Sequence, residues 1–216
     1  MKPADKRLFK SLMSQVNNLH MCWQVYRQLY AKSQKRIDLL NENGSLVFRI
    51  FYEILFDEII LAFCRLTDPV KSAGKPTHSL ARLIARIDSR THQSLKQELN
   101  DLLTELQNKS EPFRARRNKT IAHSDLGWTL KFSKNPPRGI SRADVEAALT
   151  VLRTLMNTYE GVFLQGETAY EMLTLPLSAD GDFLVKQLKR AVAFRELEKA
   201  GTVERRTLNE GRYADA

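Results

Sequence analysis

The chain is poor in the residues that would make it a disulfide scaffold or a metalloprotein. It has only two cysteines, Cys22 and Cys64, in 216 residues, and both fall within apolar helical patterns. That usage fits reduced, buried thiols in a cytoplasmic protein rather than a disulfide framework. The four histidines, His20, His78, His92 and His123, are scattered without HxxH spacing, and no CxxC pair exists. No zinc signature follows, and no cofactor is expected. Apolar runs long enough to cross a bilayer are also missing. The most apolar stretch, Ser45 to Leu66, is interrupted by Arg49, Glu53 and Asp57, so no membrane span is expected. The first residues, Met-Lys-Pro-Ala-Asp-Lys-Arg, lead into no signal-peptide core. Internal repeats and low-complexity blocks are absent, and 1–200 read as one domain followed by a C-terminal tail over 201–216.

What the chain does carry is positive charge. The net charge is +9 and the pI about 9.6, which favours an acidic partner such as nucleic acid or an anionic membrane surface. Some of this charge is concentrated in Arg114-Ala-Arg-Arg-Asn-Lys-Thr-Ile-Ala-His123-Ser-Asp-Leu126. Arg117 is a permanent cation with a planar fork that matches phosphate. His123 exchanges a proton near neutral pH. Together they suit RNA cleavage without a metal. His123 would serve as general base or acid, Arg117 would stabilise charge on the phosphate oxygens, and Asn118 would orient one or the other. Arg114, Arg116 and Lys119 would grip the RNA backbone.

Periodicity predicts an all-α fold. Leu8, Leu12, Val16, Leu19, Trp23, Tyr26 and Tyr30 lie on one face of a helix predicted from residue 4 to about 40. Gly44-Ser45 breaks the chain and opens a second helix, Ser45 to Leu66. Its apolar residues surround it, which predicts the central helix of a bundle. The segment 67–77 is a loop by its Pro and Gly content. A short helix follows, capped by Thr77 or Ser79 and carrying Leu80, Leu83, Ile84 and Ile87. Another spans about Thr91 to Gln107. Ser110-Glu-Pro-Phe restarts a helix with Pro112 in its first turn; this helix carries the arginines and is predicted to end between His123 and Gly127. Residues 128–140 are predicted as an ordered loop holding Trp128. Ser141-Arg-Ala-Asp144 has the form of a capping box opening a long helix. A basic helix is predicted over 181–199.

The order of these features resembles the AbiU2 branch of the HEPN family of small helical ribonucleases, a branch associated with abortive-infection phage resistance. The resemblance rests on Arg65-Leu-Thr-Asp68, Ser79-Leu-Ala-Arg-Leu-Ile84 and the Arg-Asn-Lys-Thr-Ile-Ala-His-Ser-Asp run, and covers about residues 10–165. It implies a HEPN-like helical bundle that forms a homodimer through the motif-bearing helices, with a composite cleft. The implied activity is metal-independent endoribonuclease cleavage in phage defence or a toxin–antitoxin pair, where an antitoxin or nucleotidyltransferase is the expected partner. Ser124 and Asp125 follow the histidine where such toxins often carry a tyrosine, so the sequence departs from tyrosine modification as a silencing route. The alternative is a non-catalytic module that binds RNA, a nucleotide or a protein.

In an ideal helix, Arg117 and His123 would lie about 120° apart around the axis. Two arrangements bring them to one phosphate. Either the helix loosens before Gly127, or a second chain brings its own Arg and His across a two-fold axis.

Overall fold

The computed structural model describes residues 2–121, 139–173 and 175–203. The fold is all-α, with one very small β-hairpin among the described residues. Helix α1 (Pro3–Tyr30) is followed by α2 (Gln34–Glu42) and α3 (Ser45–Leu66). Strands β1 (Lys71–Ser72) and β2 (Lys75–Pro76) pair antiparallel around Ala73-Gly74, both at positive φ. Then come α4 (Leu80–Ala85), α5 (Gln93–Lys109) and α6 (Glu111–Arg116), which continues into a π-helical turn, Arg117–Ile121. Helices α7 (Arg142–Leu164) and α8 (Gly181–Lys199) complete the set, with a 3₁₀ turn at Tyr170–Met172 between them.

The chain forms two compact units. The first comprises residues 1–23 and 54–173. Its core is built from Phe9, Leu12 and Val16 of α1, Ile59, Ile60 and Phe63 of α3, Leu99 and Leu106 of α5, and Leu149, Leu152 and Leu155 of α7, all essentially without solvent exposure. Helix α5 packs along α7. Trp23 Nε1 donates to Glu146 Oε1 at 2.8 Å, so this indole is anchored at its polar end as well as by its buried ring. Helix α7 starts where the sequence says it should. The Ser141 hydroxyl accepts from the Asp144 amide at 3.2 Å, and the Asp144 carboxylate accepts from the Ser141 amide at 2.8 Å. Two orphan amides of the first turn are thereby satisfied.

The second unit comprises residues 24–53 and 174–216. Within it α2 packs against α8. Asp180 caps α8 by accepting from the Phe183 amide at 2.8 Å, and also accepts from Gln28 Nε2 at 2.9 Å. Gly181 is required by close approach, because a Cβ there would meet Gln28 Cβ at 3.0 Å and Leu29 Cγ at 3.2 Å. Asp182 receives Lys32 and Arg36, each at 2.6 Å. Burial alone would raise the Asp182 carboxyl, but these two cations hold it below its ordinary value.

Two expectations are corrected, and a third falls partly outside the described residues. The first helix does not run to residue 40. It ends at Tyr30, and Ser33 opens a new one by accepting from the Arg36 amide at 3.3 Å. The predicted apolar face stops at Tyr30, and the polar run Lys32-Ser-Gln-Lys-Arg36 that follows holds the serine that caps the next helix. Helix α3 is central only in its second half. Leu46, Val47, Ile50, Phe51 and Ile54 are exposed. Helix α6 is α-helical to Arg116 and then widens through Ile121; its predicted end between His123 and Gly127 lies outside the described residues. The two thiols are free, with Cys64 buried and Cys22 half-buried. No group of residues that could hold a metal occurs among the described residues. Nor is any helix among them long and apolar enough to cross a membrane.

Candidate active site

The arginine-bearing segment is fastened to the end of α3. Phe113 of α6 is fully buried and its ring lies 4.9 Å from that of Phe63. Burying a phenyl group contributes about 1.5–3 kcal/mol, which holds α6 in place before any polar contact is counted. Around this anchor the three arginines divide into different roles.

Arg114 is a brace. Its Nη1 donates to Asp68 Oδ1 at 3.0 Å and its Nη2 to Thr67 Oγ1 at 2.7 Å. The Thr67 hydroxyl in turn donates to the Phe63 carbonyl at 2.8 Å, and Gln107 Nε2 donates to the Thr67 carbonyl at 3.2 Å. Thr67 is fully buried, so this small network joins α3, α5 and α6. Arg116 is held in a second place, on the flank of α3. It donates to Asp57 Oδ1 at 2.9 Å, and its guanidinium sits 5.2 Å from the centre of the Phe56 ring.

Arg117 is presented differently. Its Nε and Nη2 both donate to Asn118 Oδ1, at 3.0 and 2.9 Å. Its Nη1 lies 3.7 Å from Asp68 Oδ1. The bidentate edge of the guanidinium therefore rests on a neutral amide oxygen, while the carboxylate steadies the other side. Asn118 is exposed and Lys119 half-exposed in the same turn. The nearness of these cations is felt at Cys64. Burial pushes its thiol up, and Arg117 and Arg114 pull it part of the way back. Cys64 is therefore a protonated core thiol rather than a nucleophile.

The turn that carries Arg117, Asn118 and Lys119 is π-helical. Its i→i+5 rings hold one residue more per turn, so successive side chains advance by less than the ~100° of an α-helix. The ideal-helix angle between Arg117 and His123 does not apply to a segment that begins this way. Single π turns recur at functional sites because they re-aim side chains without ending the helix. His123, Ser124, Asp125 and Trp128 lie outside the described residues.

Of the expected site residues, Arg114, Arg116, Arg117, Asn118 and Lys119 are thus brought together on one segment against α3. Sequence reasoning missed Thr67, Asp68 and Asp57. From sequence Asp68 is read only within the Arg65–Asp68 motif and the loop 67–77, and Asp57 only as a charge interrupting the apolar stretch Ser45 to Leu66. The only available signal was that three fixed cations in four residues need counter-charges somewhere in the fold.

The all-α arrangement of the described residues is consistent with a HEPN-like helical bundle. The family defined by AbiU2 (HEPN_AbiU2) matches residues 4–189. This chain belongs to that family and is an abortive-infection-related HEPN domain. No curated protein and no solved structure matches it.

Proposed function

We propose that the chain is a metal-independent endoribonuclease of a phage-defence or toxin–antitoxin system. In this reading it acts as a homodimer whose two chains contribute to one cleft. The observation that carries the reading is the presentation of Arg117. Its two-pronged edge rests on Asn118 Oδ1, a neutral acceptor that a phosphate oxygen can replace with a stronger, charge-assisted bond. Family membership supports the same reading.

In the reaction the ribose 2′-hydroxyl attacks the adjacent phosphorus, and the bond to the 5′-oxygen of the next nucleotide breaks. The products are a 2′,3′-cyclic phosphate and a 5′-hydroxyl. His123 takes the proton from the 2′-oxygen or returns one to the leaving oxygen. Arg117 neutralises the charge that builds on the non-bridging oxygens. Asn118, released from Arg117, hydrogen-bonds the phosphate or the imidazole. Lys119 adds a backbone contact. Arg114 and Arg116 act mainly through their carboxylate partners, by keeping the turn in place. An antitoxin or nucleotidyltransferase that covers the cleft is the partner this reading expects.

The test is cleavage of labelled total RNA in EDTA by wild type, Arg117→Ala and His123→Ala. Wild type should cleave, with Arg117→Ala lower by ~10²–10³ and His123→Ala by ~10²–10⁴. RNA binding with equal background cleavage in all three would favour the non-catalytic module instead.

A further inference from the structure

Within the second unit, the end of α1, the second half of α2 and the first half of α3 enclose a hollow of about 240 Å³. Its floor is apolar. Leu40 and Phe48 are buried, and Tyr30 and Ile37 half-buried. The Tyr30 hydroxyl donates to the Phe48 carbonyl at 2.7 Å. Burial pushes this phenol up to about 12, so it stays neutral. Tyr52 forms an accessible wall. Its ring stands edge-on to that of Tyr30, with centroids 5.3 Å apart, and lies 5.6 Å from that of Tyr26. These contacts hold the ring in place while the residue stays 39% exposed. Asn41 and Arg49, both exposed, complete the lining. Neither side chain has a hydrogen-bond or ion-pair partner among the described residues.

The chemistry of this lining singles out its occupant. The volume is below the ~300–1,000 Å³ of pockets that enclose a drug-sized ligand, and it suits one flat ring system. Single-stranded RNA is recognised through three kinds of contact. An unpaired base stacks on an aromatic ring, polar groups bond its edge, and a cation takes the phosphate. Tyr52, Asn41 and Arg49 supply one of each, and the amide of Asn41 can both donate to and accept from a base edge. No carboxylate lines the hollow. A second cation stands two residues beyond Asn41, where exposed Arg195 of α8 donates to Asn43 Oδ1 at 2.7 Å at the end of α2. An apolar side chain of a partner protein would fill the floor equally well. It would leave the Asn41 amide and the Arg49 charge without a partner.

We propose that this hollow takes one unpaired base of a single-stranded RNA, stacked on Tyr52 and bonded at its edge by Asn41, with Arg49 on the adjoining phosphate. The subsite belongs to the second unit, whereas Arg117 and its turn belong to the first. It deepens the ribonuclease reading by giving the RNA a second contact that depends on a base. It rests only on the part of that reading that takes RNA as the ligand, and not on cleavage.

The test is fluorescence anisotropy of the full chain with two labelled probes. One is a mixed-sequence single-stranded RNA with 2′-O-methyl riboses, which has no 2′-hydroxyl to attack the phosphate. The other is the same backbone without bases. Wild type is compared with Tyr52→Leu, Asn41→Ala and Arg49→Gln, and circular dichroism checks that each is folded. Wild type should bind the base-bearing probe more tightly than the abasic one. Tyr52→Leu keeps an apolar side chain but removes the ring. It should weaken the base-bearing probe by roughly 5- to 150-fold, the worth of one stacked base, and leave the abasic probe unchanged. Asn41→Ala should weaken the base-bearing probe alone, by about 5-fold. Arg49→Gln should lower the slope of log affinity against log salt by about 0.7. Asn41 and Arg49 are exposed, so their variants carry the test if Tyr52→Leu does not fold. No RNA binding by wild type would overturn the proposal. So would equal affinity for the two probes, or variants that weaken both probes alike; either result would leave the hollow to an apolar side chain of a partner protein. Cleavage is not read, so loss of the ribonuclease activity would leave this result standing, and failure here would leave the His123→Ala cleavage assay untouched.

Discussion

At the scale of single residues, the arginines are distinguished by their counter-charges. Arg116 is matched by Asp57 and Arg114 by Asp68, whereas Arg117 rests mainly on the neutral Asn118. For single-stranded RNA each neutralised phosphate adds about 0.7 to the slope of log affinity against log salt. Lys119→Ala and Arg117→Ala should each lower that slope by about this amount, and Arg116→Ala should leave it nearly unchanged while lowering the melting temperature. Fluorescence anisotropy across a salt series reads all three. Asp68→Asn should lower kcat with little change in KM, since it frees Arg117 without removing it. It should also cost about 1 kcal/mol of stability, because the Asp68–Arg114 pair is partly exposed.

His20 offers a separate check. Its Nδ1 donates to the Val16 carbonyl at 2.9 Å and its ring stacks on Tyr170. Burial lowers its pKa below the ordinary value of 6.5, with the Val16 hydrogen bond acting the other way. The unfolded chain therefore takes up a proton more readily than the folded one. Stability from this group is present above about pH 6.5 and is lost as pH falls below it. Urea titrations should show weaker folding at pH 5.5 than at pH 7.5, and His20→Leu should flatten that difference.

At the scale of elements, what was legible in the sequence was what is encoded locally. The Ser141–Asp144 box, the Gly44 break and the Pro112 start are all determined by residues within one turn. Removing the box with Asp144→Ala should cost about 0.5–2 kcal/mol, and Phe113→Ala, which removes the anchor of α6, about 3–5 kcal/mol; thermal denaturation measures both. Features set by distant partners were not legible. Asp68 and Asp57 meet their arginines across 46 and 59 residues, and no periodicity announces such a pair. The exposed half of α3 was hidden because a helix apolar all round has no moment to say which part is buried. The π turn was hidden because its residues are ordinary helix formers, and only the widened ring shows that the backbone has changed.

At the scale of the whole molecule, a net charge of +9 accompanies membership of an abortive-infection-related HEPN family. Both were legible early, the charge from composition and the family from the order of three short motifs. The chemistry assigned to the cleft stands on the 2′-hydroxyl being the nucleophile. The most direct measurement uses an RNA oligonucleotide containing one mapped cleavage position, compared with the same oligonucleotide carrying a single 2′-deoxy sugar there, both in EDTA. Cleavage of the first to a 2′,3′-cyclic phosphate and a 5′-hydroxyl, with none of the second, is the predicted result. Equal cleavage at the 2′-deoxy position would contradict it, because the attacking oxygen would then have to come from elsewhere.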